Sequence, residues 1–167
     1  LKAPFRLNKE FTLKDLCSQI HRLSALSKPF SINLKVQKLG NFIALMMNPN
    51  EQKMQNLASQ LVEHLDQFRA PLHQEEIDKR RMSNLTTSEN KNLLQWGYPY
   101  VFDDFRFHMT LTEKIPCRSE QEFMVNAASS HFSEDLDRAT KVSSISLFVQ
   151  ESSEADFLQI QQFALEE

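Results

Sequence analysis

The chain has 167 residues, 41% of them hydrophobic, which is enough for one domain with a proper core and too few for two large independent domains. The net charge of −3 excludes a global positive field that would draw the protein to nucleic acid or an anionic membrane, so any recognition of phosphate has to be local. Only two glycines are present, which excludes the glycine-rich loops of dinucleotide and nucleoside-triphosphate folds.

Hydrophobic periodicity predicts helices and strands along the whole chain. In chain order these are a helix at 12–26, strands at 31–39 and 42–47, a helix at 54–68, shorter helices at 75–81 and 88–95, strands at 98–102 and 105–112, a helix at 120–132, and strands at 142–150 and 157–165. Gly40-Asn41 suits a tight hairpin turn between the first two strands. Capping boxes are predicted at three helix starts, by Thr12 with Asp15, Thr86 with Glu89, and Ser119 with Glu122.

The order of these elements repeats, and the repetition is visible in the residues. A shift of 112 positions sets Lys2, Pro4, Arg6, Glu10 and Phe11 on Lys114, Pro116, Arg118, Glu122 and Phe123. A shift of 113 positions sets Ser31, Ile32, Leu34, Val36 and Gln37 on Ser144, Ile145, Leu147, Val149 and Gln150. Two such windows in the same order indicate an internal duplication.

We therefore predict an α+β fold of two pseudo-symmetric lobes. Each lobe is a strand-helix-hairpin unit, and mainly antiparallel sheets surround a central cleft. Residues 1–167 then form a single domain, in which 1–68 are the remainder of the first lobe, 69–96 are a helical connector and 97–167 are the second lobe.

Residues 105–112 alternate strictly between two kinds of side chain. Phe105, Phe107, Met109 and Leu111 point to one side of the predicted strand, and Arg106, His108, Thr110 and Thr112 point to the other. A guanidinium, an imidazole and two hydroxyls on one face can offer charge, proton transfer and hydrogen bonds to a single anion, and phosphate is the natural choice. An ordinary strand with one solvated face shows the same alternation, so the pattern alone leaves that alternative open.

The His108-Met109-Thr110-Leu111 segment, within a duplicated protein, resembles the 2H phosphoesterase superfamily, whose two H-x-[ST] motifs face each other across a cleft between lobes. More specifically, the chain is similar to the member family encoded beside phosphonate-utilisation genes. That similarity rests on Trp96-Gly97-Tyr98-Pro99-Tyr100-Val101-Phe102, on 105–112, on Phe68-Arg69-Ala70-Pro71-Leu72 and on Leu1-Lys2-Ala3-Pro4-Phe5-Arg6. In that family the first motif directly precedes a Leu-Lys-x-Pro-Phe segment, so we expect it immediately before Leu1.

The resemblance implies a metal-independent phosphoesterase of the cyclic phosphodiesterase type, acting on a sugar or nucleotide phosphate and linked to phosphonate metabolism. One histidine would act as base and the other as acid, while threonine hydroxyls hold non-bridging oxygens, so His108 and Thr110 are the predicted catalytic residues. Arg106, Thr112, Lys2 and Tyr100 are predicted to bind substrate. Arg106 is equally placed to be a structural partner of Asp103 or Asp104.

Two other functions remain open at this point: a catalytically inactive phosphate- or nucleotide-binding module, and a structural partner in the phosphonate pathway. We expect a small phosphorylated substrate, neither membrane nor strong nucleic-acid binding, no cofactor or metal, and a cytoplasmic location. Cys17 and Cys117 favour free thiols over a disulfide framework or zinc, and no apolar run approaches the length of a membrane span.

Overall fold

The computed structural model describes residues 1–47, 51–152 and 154–166, and it shows a mixed α+β fold with antiparallel sheets, as predicted. Its helices are α1 Leu13–Ala25, α2 Gln52–Leu65, α3 Gln74–Arg81, α4 Thr87–Trp96, α5 Arg118–His131 and α6 Ser133–Leu136. Its strands are β1 Phe30–Ile32, β2 Leu34–Leu39, β3 Phe42–Met47, β4 His108–Thr110, β5 Thr140–Val142, β6 Ser144–Val149 and β7 Leu158–Ala164. Short 3-10 turns cover Asp66–Phe68 and Phe102–Asp104.

Two of the three predicted capping boxes are confirmed. Before α1, Thr12 N–H donates to the Asp15 carboxylate at 2.8 Å while Asp15 N–H donates to the Thr12 hydroxyl at 3.3 Å. Thr86 and Glu89 make the same reciprocal pair before α4. The third box is wrong, because α5 begins at Arg118 and its N-cap residue is Cys117, which makes no side-chain cap.

The predicted strand at 98–102 is also wrong. Gly97 ends α4 with a left-handed φ of 76°, and Phe102–Asp104 form a 3-10 turn instead of a strand. Pro99 has no N–H to give to a sheet ladder. The Asn92 side-chain amide donates to the carbonyls of Pro99 and Val101 at 3.3 and 3.4 Å, so this segment satisfies its backbone without strand pairing.

The chain divides into two compact units, and each combines sections from both halves of the sequence. Unit 1 consists of Leu1–Phe30, Asn56–Asp104 and Ser143–Glu167, and unit 2 of Ser31–Gln55 and Phe105–Val142. The predicted division into 1–68, 69–96 and 97–167 concerns the duplicated sequence, and it stays a prediction.

Unit 1 contains the antiparallel hairpin of β6 and β7, which contacts α1. The helix supplies buried Leu16, Ile20 and Leu23, and the hairpin supplies buried Ile145 and Phe163. Burial of such side chains stabilises the fold by about 1.5–3 kcal/mol each, so this contact is a major part of the core of the unit. None of the helices in the described parts of the chain is both long and apolar enough to cross a membrane.

Unit 2 contains a three-stranded antiparallel sheet in the order β2-β3-β4, with α5 against β2 and β3. Gly40, at φ 59°, forms the predicted turn between β2 and β3. Pairing beside β4 continues through Leu111, whose N–H donates to the Ile43 carbonyl at 2.8 Å. The predicted strand at 105–112 therefore exists, although its regular part is only His108–Thr110.

Candidate functional site

The pairing of β2, β3 and β4 in unit 2 places His108 and Thr110 in two rows of side chains that run across the strands. His108 lies opposite Met46 and Thr110 opposite Ala44. Directly opposed residues of antiparallel strands point to the same face of the sheet. The rows continue onto β2 and read His108, Met46, Lys35 and Thr110, Ala44, Gln37. We call this set of six residues the His108 face.

The opposite face of the same sheet is the one that α5 covers. Val36 pairs with Leu45, which pairs with Met109, so these three residues lie on the other side. Lys38 lies on that side too, and its ammonium pairs with Glu122 of α5 at 3.5 Å. The His108 face is therefore turned away from α5.

All three residues of β4 are exposed, including Met109 at 41%. The predicted apolar side is only partly buried, since Phe105, Phe107 and Leu111 are half-buried. A three-residue strand at one end of the sheet order has a single strand neighbour in unit 2, so it cannot be covered as well as a central strand.

The imidazole of His108 is oriented by the backbone two residues earlier. Its Nδ1 lies 2.8 Å from the carbonyl oxygen of Arg106. A carbonyl can only accept, so Nδ1 carries the hydrogen and the neutral ring keeps its lone pair on Nε2. A ring held in this tautomer can take a proton at Nε2, and the resulting imidazolium keeps the same hydrogen bond and can return the proton.

Arg106 and Thr112, the other two polar residues of 105–112, differ in whether their side chains have a partner. The side chain of Arg106 is exposed and forms no ion pair within the described residues of unit 2. Thr112 is half-buried, and its hydroxyl accepts the Ile43 N–H at 3.1 Å, which fixes the end of the β3–β4 pairing. Asp103 and Asp104 belong to unit 1, so the alternative that Arg106 pairs with them stays open.

Lys2, another predicted substrate-binding residue, lies in unit 1 and is engaged there. Its side chain is 9% exposed, and its ammonium donates to Asp66 and to the Val62 carbonyl, each at 3.3 Å. Burial lowers the pKa of Lys2, although Asp66 opposes the shift. A role for Lys2 in binding substrate stays a prediction, because the ammonium already has two partners.

Asp66 also holds Arg69, whose guanidinium donates to both carboxylate oxygens at 2.8 and 3.0 Å. Burial alone would raise the pKa of Asp66, but the hydrogen bonds and charges of Arg69 and Lys2 outweigh that effect and lower it. Arg69 donates further to the Gln95 carbonyl at 3.2 Å. This cluster links three segments of unit 1.

Tyr100 is 38% exposed, and its ring meets the Tyr98 ring edge-on with centroids 5.6 Å apart. The guanidinium of Arg80 lies 4.9 Å from the centroid of the Tyr98 ring. Tyr100 is therefore available at the surface of unit 1, and its position as a substrate-binding residue stays a prediction.

Unit 1 has two concavities that are alternative candidate sites. One holds about 30 Å³ and is lined in part by Lys2, Arg6 and Arg69. The other holds about 290 Å³ and is lined by Arg69 and four apolar side chains. The cations at both already have carboxylate partners, so neither concavity presents a free charge.

Lys35 and Gln37 are candidate site residues that the sequence analysis did not identify. Both are exposed and share the His108 face. The alternation in 31–39 and the Gly40-Asn41 turn could have predicted their side of the hairpin, but the pairing of β4 with β3 joins residues more than 60 positions apart and is not visible in local pattern. Within the described ranges, no three His, Cys, Asp or Glu side chains are grouped so that they could hold a metal ion.

These features define a mixed α+β protein with an exposed His-x-Thr strand next to a hairpin. The chain belongs to the family described as a protein of unknown function, DUF1045, which matches residues 1–158.

Two curated relatives carry the name ribose 1,5-bisphosphate phosphokinase PhnN. The one from Janthinobacterium sp. (strain Marseille) is 37% identical over 116 residues, which are 69% of this chain and 26% of the relative. The one from Laribacter hongkongensis (strain HLHK9) is 27% identical over 157 residues, which are 94% of this chain and 36% of the relative. The chain thus spans about a quarter to a third of the length of these relatives. No solved structure matches it significantly.

Proposed function

We propose that this chain is part of a metal-independent phosphoesterase of the 2H superfamily, which opens a cyclic phosphodiester of a sugar or nucleotide and is linked to phosphonate metabolism. The observation that carries the proposal is the pair of His108 and Thr110, exposed on one face of β4 with the imidazole held so that Nε2 is free to exchange a proton. Alternate residues of a strand lie about 7 Å apart, so one phosphate can meet both side chains.

The chemistry requires two proton transfers. Water attacks phosphorus while a base takes its proton, and the bond from phosphorus to one ring oxygen breaks as an acid gives that oxygen a proton. The product is a phosphate monoester beside a free hydroxyl. His108 can fill one of these roles, Thr110 can donate to a non-bridging oxygen, and the other role requires the second His-x-Thr motif of the superfamily.

The duplication behind this assignment is supported by the contents of the two units. Residues 34–37 of the first window lie in β2 and residues 144–149 of the second lie in β6, each the first strand of an antiparallel hairpin, and a helix packs on each hairpin. Residues 31 and 32 of the first window belong to β1, which pairs with β5. The match of residues 2–11 with 114–123 agrees less well with the structure. Glu10 and Phe11 lie in a turn, whereas Glu122 and Phe123 lie in α5.

The free edge of β7 is a second argument for the duplication. The outer edge of β3 is paired with β4, whereas among the described strands β7 pairs only with β6. We propose that the strand with the first motif pairs along this edge of β7, as β4 does along β3. Leu158 and Ile160 of β7, at 58% and 42% exposure, are apolar side chains that a further strand could cover in part.

The names of the relatives favour a sugar phosphate over a nucleotide as substrate. A phosphokinase cradles its nucleotide phosphates with a glycine-rich loop, and the two glycines of this chain, Gly40 and Gly97, form no such motif. The kinase named for the relatives is therefore best assigned to the part of those proteins outside the match. A domain joined to a ribose 1,5-bisphosphate kinase fits a role in supplying or consuming a ribose phosphate.

A phosphate-binding module without turnover is the second candidate, because these 167 residues contain one His-x-Thr, and their other H-x-[ST] match, His131-Phe132-Ser133, lies where α5 meets α6 and not in a strand. One experiment separates the two functions. The intact natural protein is incubated with ribose cyclic phosphates and nucleoside 2′,3′-cyclic phosphates, with and without EDTA, and monoester formation is followed by ³¹P NMR. We expect turnover of a ribose cyclic phosphate that EDTA does not change. Phosphate binding without turnover would establish the module instead, and loss of turnover in EDTA would contradict the proposed chemistry.

A further inference from the structure

We infer that Lys35 binds a second anionic group of the substrate on the His108 face, so that the substrate is a sugar with two phosphate groups. This inference rests on the function proposed above for its anionic substrate. The phosphate at His108 and Thr110 is the one that reacts, and the phosphate at Lys35 positions the sugar.

The strand register places Lys35 in the same row as His108. Lys35 pairs with Met46, which pairs with His108, so the three side chains rise from one face of the sheet. Neighbouring strands lie about 4.8 Å apart, which separates the backbones of Lys35 and His108 by roughly 10 Å. That span suits two groups joined by a sugar.

One phosphate shared by both side chains is a poorer fit to this geometry. A charge-assisted hydrogen bond spans about 2.8 Å, so a single phosphate would require the two side chains to converge over the row. Met46 stands between them and is half-buried. Two anions, one on each side of Met46, leave both side chains extended.

Lys35 is also the free cation of this hairpin among the described residues. It is exposed and has no ion pair, whereas Lys38 on the opposite face is paired with Glu122. The carboxylate of Glu51, the residue before α2, accepts the N–H of Asn33, the residue before β2, at 3.0 Å. An ammonium at the end of a flexible stem is well suited to bind phosphate as a point charge.

Calorimetric titration of the intact protein with ribose 1,5-bisphosphate and with ribose 1-phosphate tests the inference, because the bisphosphate, as a ring-opened product, carries both of the phosphate groups that the inferred substrate presents. We expect the bisphosphate to bind more tightly than the monophosphate. Lys35→Met should weaken binding of the bisphosphate by about tenfold or more and leave the monophosphate unchanged, because one charge-assisted contact is lost. Lys38→Met is the matched control, three residues away on the face under α5, and it should change neither affinity.

Circular dichroism and a thermal melt of each variant confirm that it is folded. Equal loss of both ligands, no loss in Lys35→Met, or no binding of the bisphosphate would overturn the inference. Turnover of cyclic phosphates is measured separately. Normal turnover with binding that does not depend on Lys35 contradicts only the role of Lys35, whereas Lys35-dependent binding without turnover contradicts only the proposed reaction.

Discussion

His108 owes its tautomer to a backbone carbonyl. The alternation of 105–112 predicted which side chains share a face, but not that the Arg106 carbonyl would hold Nδ1 at 2.8 Å. Lys2 was predicted to bind substrate, but its ammonium is already paired with the Asp66 carboxylate. Residue type and spacing predict what a side chain can do, whereas partners distant in sequence decide whether it is free.

The thiols of Cys17 and Cys117 have surroundings that shift their pKa values in opposite directions. Burial raises the pKa of the Cys17 thiol. The Ser119 hydroxyl at 3.1 Å and the N–H groups of Glu120 and Ser119 lower the pKa of the Cys117 thiol. A lower pKa gives thiolate at lower pH, so alkylation of Cys117 by iodoacetamide should rise at lower pH than alkylation of Cys17.

Peptide mass spectrometry across a pH series measures both rates in one sample. Ser119→Ala removes the hydroxyl and should move the Cys117 profile to higher pH while the Cys17 profile stays in place. Coincident profiles for the two thiols in the unaltered protein would disprove this account of Cys117.

The two glycines provide a matched pair at the scale of elements, since both have positive φ. A non-glycine residue in this region costs about 1–2 kcal/mol. At Gly40 an added Cβ meets nothing within 4 Å, whereas at Gly97 it would lie 2.8 Å from Arg69 Cδ, in the side chain that holds Asp66. Gly97→Ala should therefore lower the free energy of unfolding by more than Gly40→Ala. Denaturant unfolding of both variants measures the difference, and equal losses would show that Arg69 moves aside at no cost.

Elements with strong local signals were predicted well, and elements that depend on distant contacts were not. The boxes before α1 and α4 and the Gly40 turn use residues within a few positions of one another. The predicted box at Ser119 and Glu122 failed because Glu122 binds Arg118 at 3.1 Å and Lys38 of β2. The predicted strand at 98–102 failed because the Asn92 side chain satisfies carbonyls that a strand would have given to a neighbour.

At the scale of the whole molecule, the sequence predicted an α+β fold with antiparallel sheets but not which helix packs on which hairpin. The helix α1 precedes the hairpin of β2 and β3 in the chain, yet it packs on β6 and β7, while α5 packs on β2 and β3. An apolar stripe such as Leu16, Ile20 and Leu23 fits any hydrophobic sheet face. Periodicity therefore cannot choose between two hairpins of similar pattern, and the pseudo-symmetry of two lobes remains a proposal.

The central claim, that His108 and Thr110 form a reactive phosphate site, is tested most directly by turnover in variants of the intact protein. With a ribose cyclic phosphate as substrate, His108→Ala should lower kcat by about 10²–10⁴, because a positioned acid or base is removed. Thr110→Ala should lower kcat/KM but leave the pH profile in place, because it deletes a hydrogen-bond donor and no titrating group. His131→Ala, at the exposed end of α5, serves as the control and should be as active as the unaltered protein. Full activity in His108→Ala would contradict the account.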